Sequence, residues 1–383
     1  MRRAVKLAAR GLGFVEPNPP VGAVIVDDRL NLLGEGFHER FGGPHAEIGA
    51  LKQAAGRTAG ATLYVTLEPC CHRGKTGPCT QAIIEHKIRK VVIGMIDPAS
   101  HAAGKGITEL KAAGIDVEVG LLQPDAAKLT APFVKLTTAG TPYVHAKWAM
   151  TLDGRIASRT GASRWISNNR SRQIVHALRG RMDAILVGSG TVRTDDPLLT
   201  ARPPGPRIPT RIIFDSRAAL STDSQLVRTI DEAPVMIVAS VSAPRDNIRR
   251  LTDAGVEVVQ VPPETGLADQ AGSGLDRPDS QMLLRELGRR QMTNILIEGG
   301  GGLFGSFFDR RLVDELHLFI APKIVGGMQA VSPVCGVGLA EIPEQAQIDE
   351  PVVELLDGDV YIHGPLTHSL PPMITETSET GSP

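Results

Sequence analysis

TLEPCCHRGKTGPC, residues 66–79, gathers three of the chain's four cysteines and a histidine into fourteen positions. The β-branched run ATLYVTL (61–67) leads into it, TQAIIEHK (80–87) with helical spacing follows, and a second apolar run, KVVIGMID (90–97), comes next. Strand, loop, helix, strand is the repeating unit of a layered α/β domain with a mostly parallel sheet. The sulfurs therefore sit where a strand hands over to a helix. Three uses are open for them: a disulfide staple, a structural zinc knuckle, or half of a catalytic metal site.

The same alternation runs through the first 120 residues. A basic amphipathic helix (2–10) precedes VGAVIV (21–26), the turn DDRLN (27–31) and the return LLGEGF (32–37). HAEIGALKQAAG (45–56) and GITELKAAG (106–114) read as helices, and IDVEVG (115–120) as a last strand. A second α/β series starts at YVHAKWAM (143–150). Its further strands are DAILVGSG (183–190), TRIIFDS (210–216), APVMIVAS (233–240), VEVVQV (256–261), NILIEGG (294–300) and LHLFIAP (316–322). The clearest helices between them are NRSRQIVHALRGR (169–181), QMLLRELGRRQ (281–291) and LFGSFFDRRLV (303–313). At 383 residues the chain exceeds one ordinary core, which predicts two domains. The boundaries are drawn at 1–122, a helical connector at 123–141, 142–366, and a Ser/Thr/Pro-rich tail at 367–383 expected to be disordered. Residues 262–280, rich in Pro, Gly and Asp, read as an exposed loop.

A net charge of −1 gives no basic surface for nucleic acid. No apolar run reaches the ~18 residues of a membrane span, and the N-terminus lacks a signal-peptide core. A cytoplasmic location follows as the expectation, and reduced thiols turn the cysteine cluster away from disulfides and towards metal or catalysis. PHAEIGAL (44–51) supplies the complement. His45 and Glu47 begin a helix, and Cys79 begins another, so one imidazole and two sulfurs can converge near helix N-termini that favour thiolate. One His and two Cys leave the fourth tetrahedral position open for water, as in catalytic and not structural zinc sites. Glu47 is then spare to carry a proton from that water to a leaving amine. The zinc-deaminase signature is H-x-E followed by P-C-x-x-C. Here H-A-E and P-C are present, but eight residues separate Cys70 from Cys79.

In the second half, NILIEGGGGLFGSFF (294–308) runs strand, four glycines, helix, which allows close backbone approach and turns a helix N-terminus towards an anion. Gly300, Gly302 and Gly305 satisfy G-x-G-x-x-G, but near the C-terminal end of the domain and not in its first βα unit. A Rossmann domain is rejected and the phosphate cradle retained.

The motifs NPPVGAVIV, GFHERFGGPHAE, TLEPC and GKTGPC, followed by KWAMTLDGRIA, SRWIS, ILVGSGTVRTDDPLLTAR and IIFDS, resemble in this order the bifunctional riboflavin-biosynthesis deaminase/reductase family over nearly the whole chain. The resemblance implies an α/β chain of two domains: an N-terminal cytidine-deaminase-like three-layer α/β domain and a C-terminal dihydrofolate-reductase-like α/β domain. It implies hydrolytic deamination of 2,5-diamino-6-(5-phosphoribosylamino)pyrimidin-4(3H)-one with Zn2+, then reduction of the ribosyl to a ribityl chain with NADPH. Carried over position by position, His45, Cys70 and Cys79 hold zinc and Glu47 is catalytic. The family's ligand directly follows Glu-Pro, which makes Cys71, where the family usually has Ser, a bystander. Asn18, His38, His72 and Lys75 would face the pyrimidine substrate. In the reductase half, Ala149, Trp165, Ser167, Thr191, Asp195, Ser216, Gly300, Gly301, Gly302, Leu303, Phe304, Gly305 and Ser306 would touch NADPH. Lys147, Ser163, Arg179, Leu199, Arg202 and Glu298 would touch the ribose phosphate, the arginines through charge-assisted bonds. Lys147 reads as a sugar-contacting or proton-donating group, and Asp153 as ordering its turn. The partners implied are a small phosphoribosyl-pyrimidine and a second copy of the chain, joined through the reductase domain with DELHLFIAP (314–322) as an edge; no nucleic acid or membrane is expected. The competing readings are a deaminase of another nucleoside or tRNA with a degenerate or regulatory second domain, and a zinc-stabilised scaffold. Complete H-A-E and both cysteine ligands argue against the scaffold.

Overall fold

A computed structural model describes residues 1–71, 77–99, 102–264, 276–345 and 347–369. The chain divides into two compact units, Met1–Ala139 and Gly140–Ser369.

The first unit holds five strands, β1 (Gly22–Val26), β2 (Leu32–Phe37), β3 (Thr62–Leu67), β4 (Lys90–Met95) and β5 (Asp116–Val119), in the order β2-β1-β3-β4-β5. The sheet is mixed and not mostly parallel: β1 runs antiparallel to both neighbours, while β3, β4 and β5 are parallel. The cause is the short turn after β1. Asp27 accepts from the backbone N–H groups of Arg29 and Asn31, and so few residues can only make a hairpin.

Helices cover both faces. α2 (Ala46–Ala54), α3 (Cys79–Glu85) and α4 (Lys105–Ala112) bury Ala50, Ile83 and Leu110 against Ile25, Leu63, Val65 and Ile93. On the other face α1 (Arg2–Ala8) packs Ala4 and Leu7 on Val24 and Val26. The stretch expected as a connector is a helix of this unit, α5 (Gln123–Ala139). Its Ala126 and Val134, two turns apart, pack on Leu67 and Met95. This is the three-layer arrangement the motifs implied.

The second unit is built on nine strands: β6 (Tyr143–Thr151), β7 (Ala184–Gly188), β8 (Thr210–Phe214), β9 (Val235–Ser240), β10 (Glu257–Val261), β11 (Asn294–Gly299), β12 (Glu315–Ala321), β13 (Val352–Leu356) and β14 (Asp359–Pro365). Their order is β10-β9-β8-β7-β11-β6-β12-β14-β13, parallel from β10 to β12 and antiparallel through β14 and β13. α10 (Ser280–Arg289) and α11 (Gly301–Asp309) cover one face, burying Leu283, Leu287, Phe304 and Phe307. α6 (Asn169–Arg179), α7 (Ser189–Asp195), α8 (Gln225–Arg228) and α9 (Arg245–Asp253) cover the other, burying Leu178, Val192, Leu226 and Leu251.

Every strand read from the sequence is present, but the β13–β14 hairpin was not anticipated. Its signal is Asp357-Gly358 between apolar runs, both residues at positive φ (49° and 102°), as a tight hairpin turn requires. That hairpin corrects the reading of DELHLFIAP as an edge. β12 is paired on both sides, by β6 and β14, and the sheet's edges are β10 and β13.

Candidate active sites

In the first unit the site assembles at two helix starts. His45 is the N-cap of α2 in extended conformation, and Glu47, in the first turn, is 3% exposed. Cys70 lies just past the end of β3, and Cys79 is the first residue of α3. The amide of Cys79 donates to the Cys70 sulfur at 3.5 Å, fixing that sulfur at the helix start. His45 Nδ1 lies 3.5 Å from Cys70 Sγ and 3.3 Å from Cys79 Sγ. A tetrahedral zinc at ~2.3 Å from sulfur and ~2.05 Å from nitrogen would set those atoms about 3.6 Å apart, so the donor set fits such an ion with a small shift. The three residues form a group able to hold a metal, and Cys71 is not part of it.

The electrostatics match. The Cys79 thiol and then the His45 imidazole lower Cys70, so the pair loses its first proton readily; the proton is left on Cys79, which the same bond and burial raise. Burial raises the Glu47 carboxyl, which lies against Cys79. His38 Nε2 is 3.2 Å from Asn18 Nδ2, and its Nδ1 is 2.9 Å from the Pro44 carbonyl. Burial lowers the His38 pKa, so the ring is neutral, donating to Pro44 and accepting from Asn18. Its ring stands edge-on to His45, 5.5 Å between centroids. The structure thus brings Asn18 and His38 to the His45 side of the cluster. His72 and Lys75 lie outside the described residues.

Glu68 was missed in the sequence. Its buried carboxylate accepts from the amides of Asp97, Gly104 and Ile107, tying the β3 exit to the loop before α4, two residues ahead of Cys70. The signal was an acidic residue directly before Pro-Cys in an otherwise apolar strand.

In the second unit, the candidates lie along the carboxyl ends of β6, β7, β8 and β11, where parallel sheets bind ligands. Glu298 on β11 is the hub. Arg179 binds it in bidentate fashion, Nε to Oε1 at 2.5 Å and Nη2 to Oε2 at 2.8 Å, and Lys147 Nζ lies 2.9 Å from Oε2. Burial raises the Glu298 pKa, but Arg179 and then Lys147 outweigh it and hold the carboxyl well below its ordinary value. The Arg179 fork is thus engaged by Glu298, with Nη1 on the Thr200 carbonyl at 3.2 Å, beside the position expected to meet substrate. Arg202 is exposed, and its Nη1 bonds the Thr200 hydroxyl at 3.1 Å. Burial and the neighbouring Arg179 lower its pKa. His176, one turn before Arg179 on α6, accepts the Arg202 amide at 3.2 Å, another contact the sequence did not reveal.

Trp165 is 65% exposed and carries the Arg172 guanidinium 4.5 Å from its ring centroid, so it is not a core residue. Arg172 also donates to the Ser167 carbonyl at 2.5 Å. Ser163 donates to Asp195 at 2.9 Å, joining an expected substrate contact to an expected cofactor contact. Thr191 packs against Gly299 and Gly300. Ala149 is half-buried on β6, and Ser216, just beyond β8, accepts the Ser240 amide. Asp153 accepts from Thr151 and from the amides of Val325 and Gly326, the turn-ordering role expected of it.

The glycine loop is only partly available. Gly300 is the N-cap of α11 at φ 97°, with no side-chain cap on the first turn, and Gly302 has open space beside it. Gly301 and Gly305 are instead spent on packing: a Cβ at Gly305 would lie 1.8 Å from the Cys335 carbonyl oxygen. Leu303 and Phe304 point into the core, and the Ser306 hydroxyl donates to Glu264 at 2.7 Å. These residues can offer a ligand backbone only. The same holds for Leu199, 2% exposed in the core at φ 55°.

Residues 1–95 match the family model for the cytidine and deoxycytidylate deaminase zinc-binding region, and residues 142–356 match that for the RibD C-terminal domain. The riboflavin biosynthesis protein RibD of Actinobacillus pleuropneumoniae is 40% identical over 94% of this chain and 93% of its own. That of Escherichia coli strain K12 is 37% identical over 95% and 97%. Among solved structures, a diaminohydroxyphosphoribosylaminopyrimidine deaminase/5-amino-6-(5-phosphoribosylamino)uracil reductase from Thermotoga maritima superposes with a TM-score of 0.78 at 36% identity, covering 95% of this chain and 96% of that one. No helix among the described residues is long and apolar enough to cross a membrane. With a zinc-binding deaminase domain and a reductase domain in that order along one polypeptide, the chain belongs to the RibD family of riboflavin-biosynthesis enzymes.

Proposed function

We propose that this chain deaminates 2,5-diamino-6-(5-phosphoribosylamino)pyrimidin-4(3H)-one in its first unit and reduces the ribosyl group of the product with NADPH in its second. The observation that carries the reading is the convergence of His45 Nδ1 with the Cys70 and Cys79 sulfurs beside the buried carboxyl of Glu47. Zinc held by His45, Cys70 and Cys79 would supply Lewis-acid activation of water. Glu47 takes a proton from the attacking water and returns it to the departing amine; burial raises its pKa, which favours the protonated form it passes through between the two transfers. Asn18 and His38 lie where the ring would enter, the neutral imidazole fixed by Pro44.

In the second unit NADPH supplies hydride, and the protein supplies alignment. Its fit rests on the uncapped start of α11, the open space at Gly302 and the exposed face of Trp165. Glu298, held ionised by Arg179 and Lys147, accepts from ribose hydroxyls. Lys147, held against Glu298, donates the proton that the sugar oxygen gains. Arg202 takes the phosphate. We place the enzyme in the cytoplasm and infer a homo-oligomer joined through the second unit. Incubating the purified chain with the diaminopyrimidine phosphate, with and without NADPH, while following ammonia and NADPH oxidation separately, tests both halves. Ammonia should appear without NADPH, and NADPH oxidation should require the same substrate; neither occurring would reject the reading.

A further inference from the structure

Behind Lys147 the second sheet buries polar groups that neither reaction uses. Glu315 on β12 stands opposite His145 on β6, and His317 opposite Lys147, so His145, Glu315 and His317 share one face of two adjacent parallel strands. His145 Nδ1 lies 3.2 Å from His317 Nε2, and Glu315 carboxylate oxygens lie 3.7 Å from the first nitrogen and 3.5 Å from the second. Two nitrogens each ~2.05 Å from a tetrahedral zinc-class ion stand about 3.4 Å apart, so the three separations suit a single bound cation.

The outward atoms of the cluster are held as well. His145 Nε2 is 3.2 Å from the Asn294 side-chain oxygen, and His317 Nδ1 is 2.8 Å from the Tyr361 hydroxyl. The Tyr143 hydroxyl bonds Glu315. A proton on His145 Nε2 donating to Asn294, and one on His317 Nδ1 donating to Tyr361, leave two lone pairs and a carboxylate aimed at one point. Imidazole ligands oriented by a hydrogen bond at the far nitrogen, and a carboxylate itself hydrogen-bonded, are the surroundings of a built metal site. Of the charged groups around the cluster, Lys147 is paired with Glu298 at 2.9 Å, Arg181 acts on Glu315 and His317 through space, and His363 Nε2 lies 3.6 Å from Glu354. His145 and His317 are buried, whereas the Glu315 side chain is 23% exposed and gives an ion its way in.

We propose that His145, Glu315 and His317 form a second metal site, for Zn2+ or another borderline divalent transition ion, stapling β6 to β12 in the reductase unit. Two imidazoles and one carboxylate prefer such ions over Mg2+ or Ca2+. The site differs in ligand chemistry from the sulfur-containing one, and cobalt reads the difference. Full-length protein stripped with a chelator and reloaded with Co2+ should bind two ions per chain. One gives near-ultraviolet thiolate-to-cobalt charge transfer; the other gives only weak visible bands. Cys70→Ser/Cys79→Ser should keep one ion and lose the charge transfer, and His145→Ala/His317→Ala should keep one ion with the charge transfer intact. Glu315→Gln, which removes one ligand charge and little volume, should weaken the second ion at least tenfold while leaving the fluorescence of Trp148 and Trp165 unchanged. A wild-type stoichiometry of one, carried wholly by the charge-transfer ion, overturns the second site and leaves the deaminase reading standing. One ion without charge transfer, lost in His145→Ala/His317→Ala, supports it even if the sulfur site fails.

Discussion

Replacing Arg179 by Leu tests the hub of the reductase site. Leu keeps the aliphatic bulk and helix propensity of the arginine in α6 but removes both bonds to Glu298. The Glu298 side chain is only 3% exposed, and Lys147 at 2.9 Å becomes its remaining ionic partner. Removing one member of a buried pair costs about 3–5 kcal/mol. With Lys147 retained, the lower end applies, about 3 kcal/mol, or on the order of a hundredfold in the ratio of folded to unfolded second unit. Both tryptophans of the chain, Trp148 and Trp165, belong to that unit, so urea unfolding followed by tryptophan fluorescence reports on it selectively. The pH dependence gives a second check. The Glu298 pKa is depressed below its ordinary 4.5, so the stabilisation is complete above that value and is lost as pH falls below it. The gap between wild type and Arg179→Leu should therefore be full at pH 7 and narrow as pH drops below about 4.5. A gap under about 0.5 kcal/mol at pH 7, typical of an exposed pair, would refute the buried-hub reasoning. So would a gap that does not change with pH.

Cys70→Ser should abolish the thiolate-to-metal charge transfer of the cobalt-loaded protein, and Cys71→Ser should leave it unchanged, as read by near-ultraviolet absorption. Arg202→Ala should raise KM for the phosphorylated substrate of the reductase about 10- to 150-fold, the equivalent of a lost charged hydrogen bond, with kcat within about twofold. Gly305→Ala must displace the Cys335 carbonyl and should lower the stability of the second unit by about 1–3 kcal/mol. Gly302→Ala, with nothing near its Cβ, should leave stability unchanged and raise KM for NADPH.

The sulfur site was legible because its chemistry is written in residue types at fixed places: His45 and Glu47 two apart at a helix start, Cys70 after a strand, Cys79 opening a helix. Choosing Cys70 over Cys71 needed the family resemblance, since spacing alone left both open. Apart from the β13–β14 hairpin, the strands of both sheets were legible from apolar runs, but the orientation of β1 was not, because strand direction depends on connection length as well as alternation. In the reductase unit the sequence named positions and not partners. Arg179 and Glu298 lie 119 residues apart, and only the juxtaposition of α6 with β11 pairs them. Leu199, Leu303, Phe304 and Ser306 sit in the right segments, but their side chains point into the core or to Glu264. The His145–Glu315–His317 cluster was invisible for the same reason. It exists only through the register of β6 on β12.

Ammonia release by Glu47→Gln, measured on metal-replete full-length protein with the diaminopyrimidine phosphate and NADPH present, is the decisive observation. Loss of one general acid–base group should slow release by at least about 10²–10⁴-fold. Zinc should remain bound. NADPH oxidation should stop with the original substrate and return when the deaminated product is supplied. Ammonia released at the wild-type rate, or NADPH oxidised by Glu47→Gln without any deaminated product, would contradict both the role of Glu47 and the order of the two reactions.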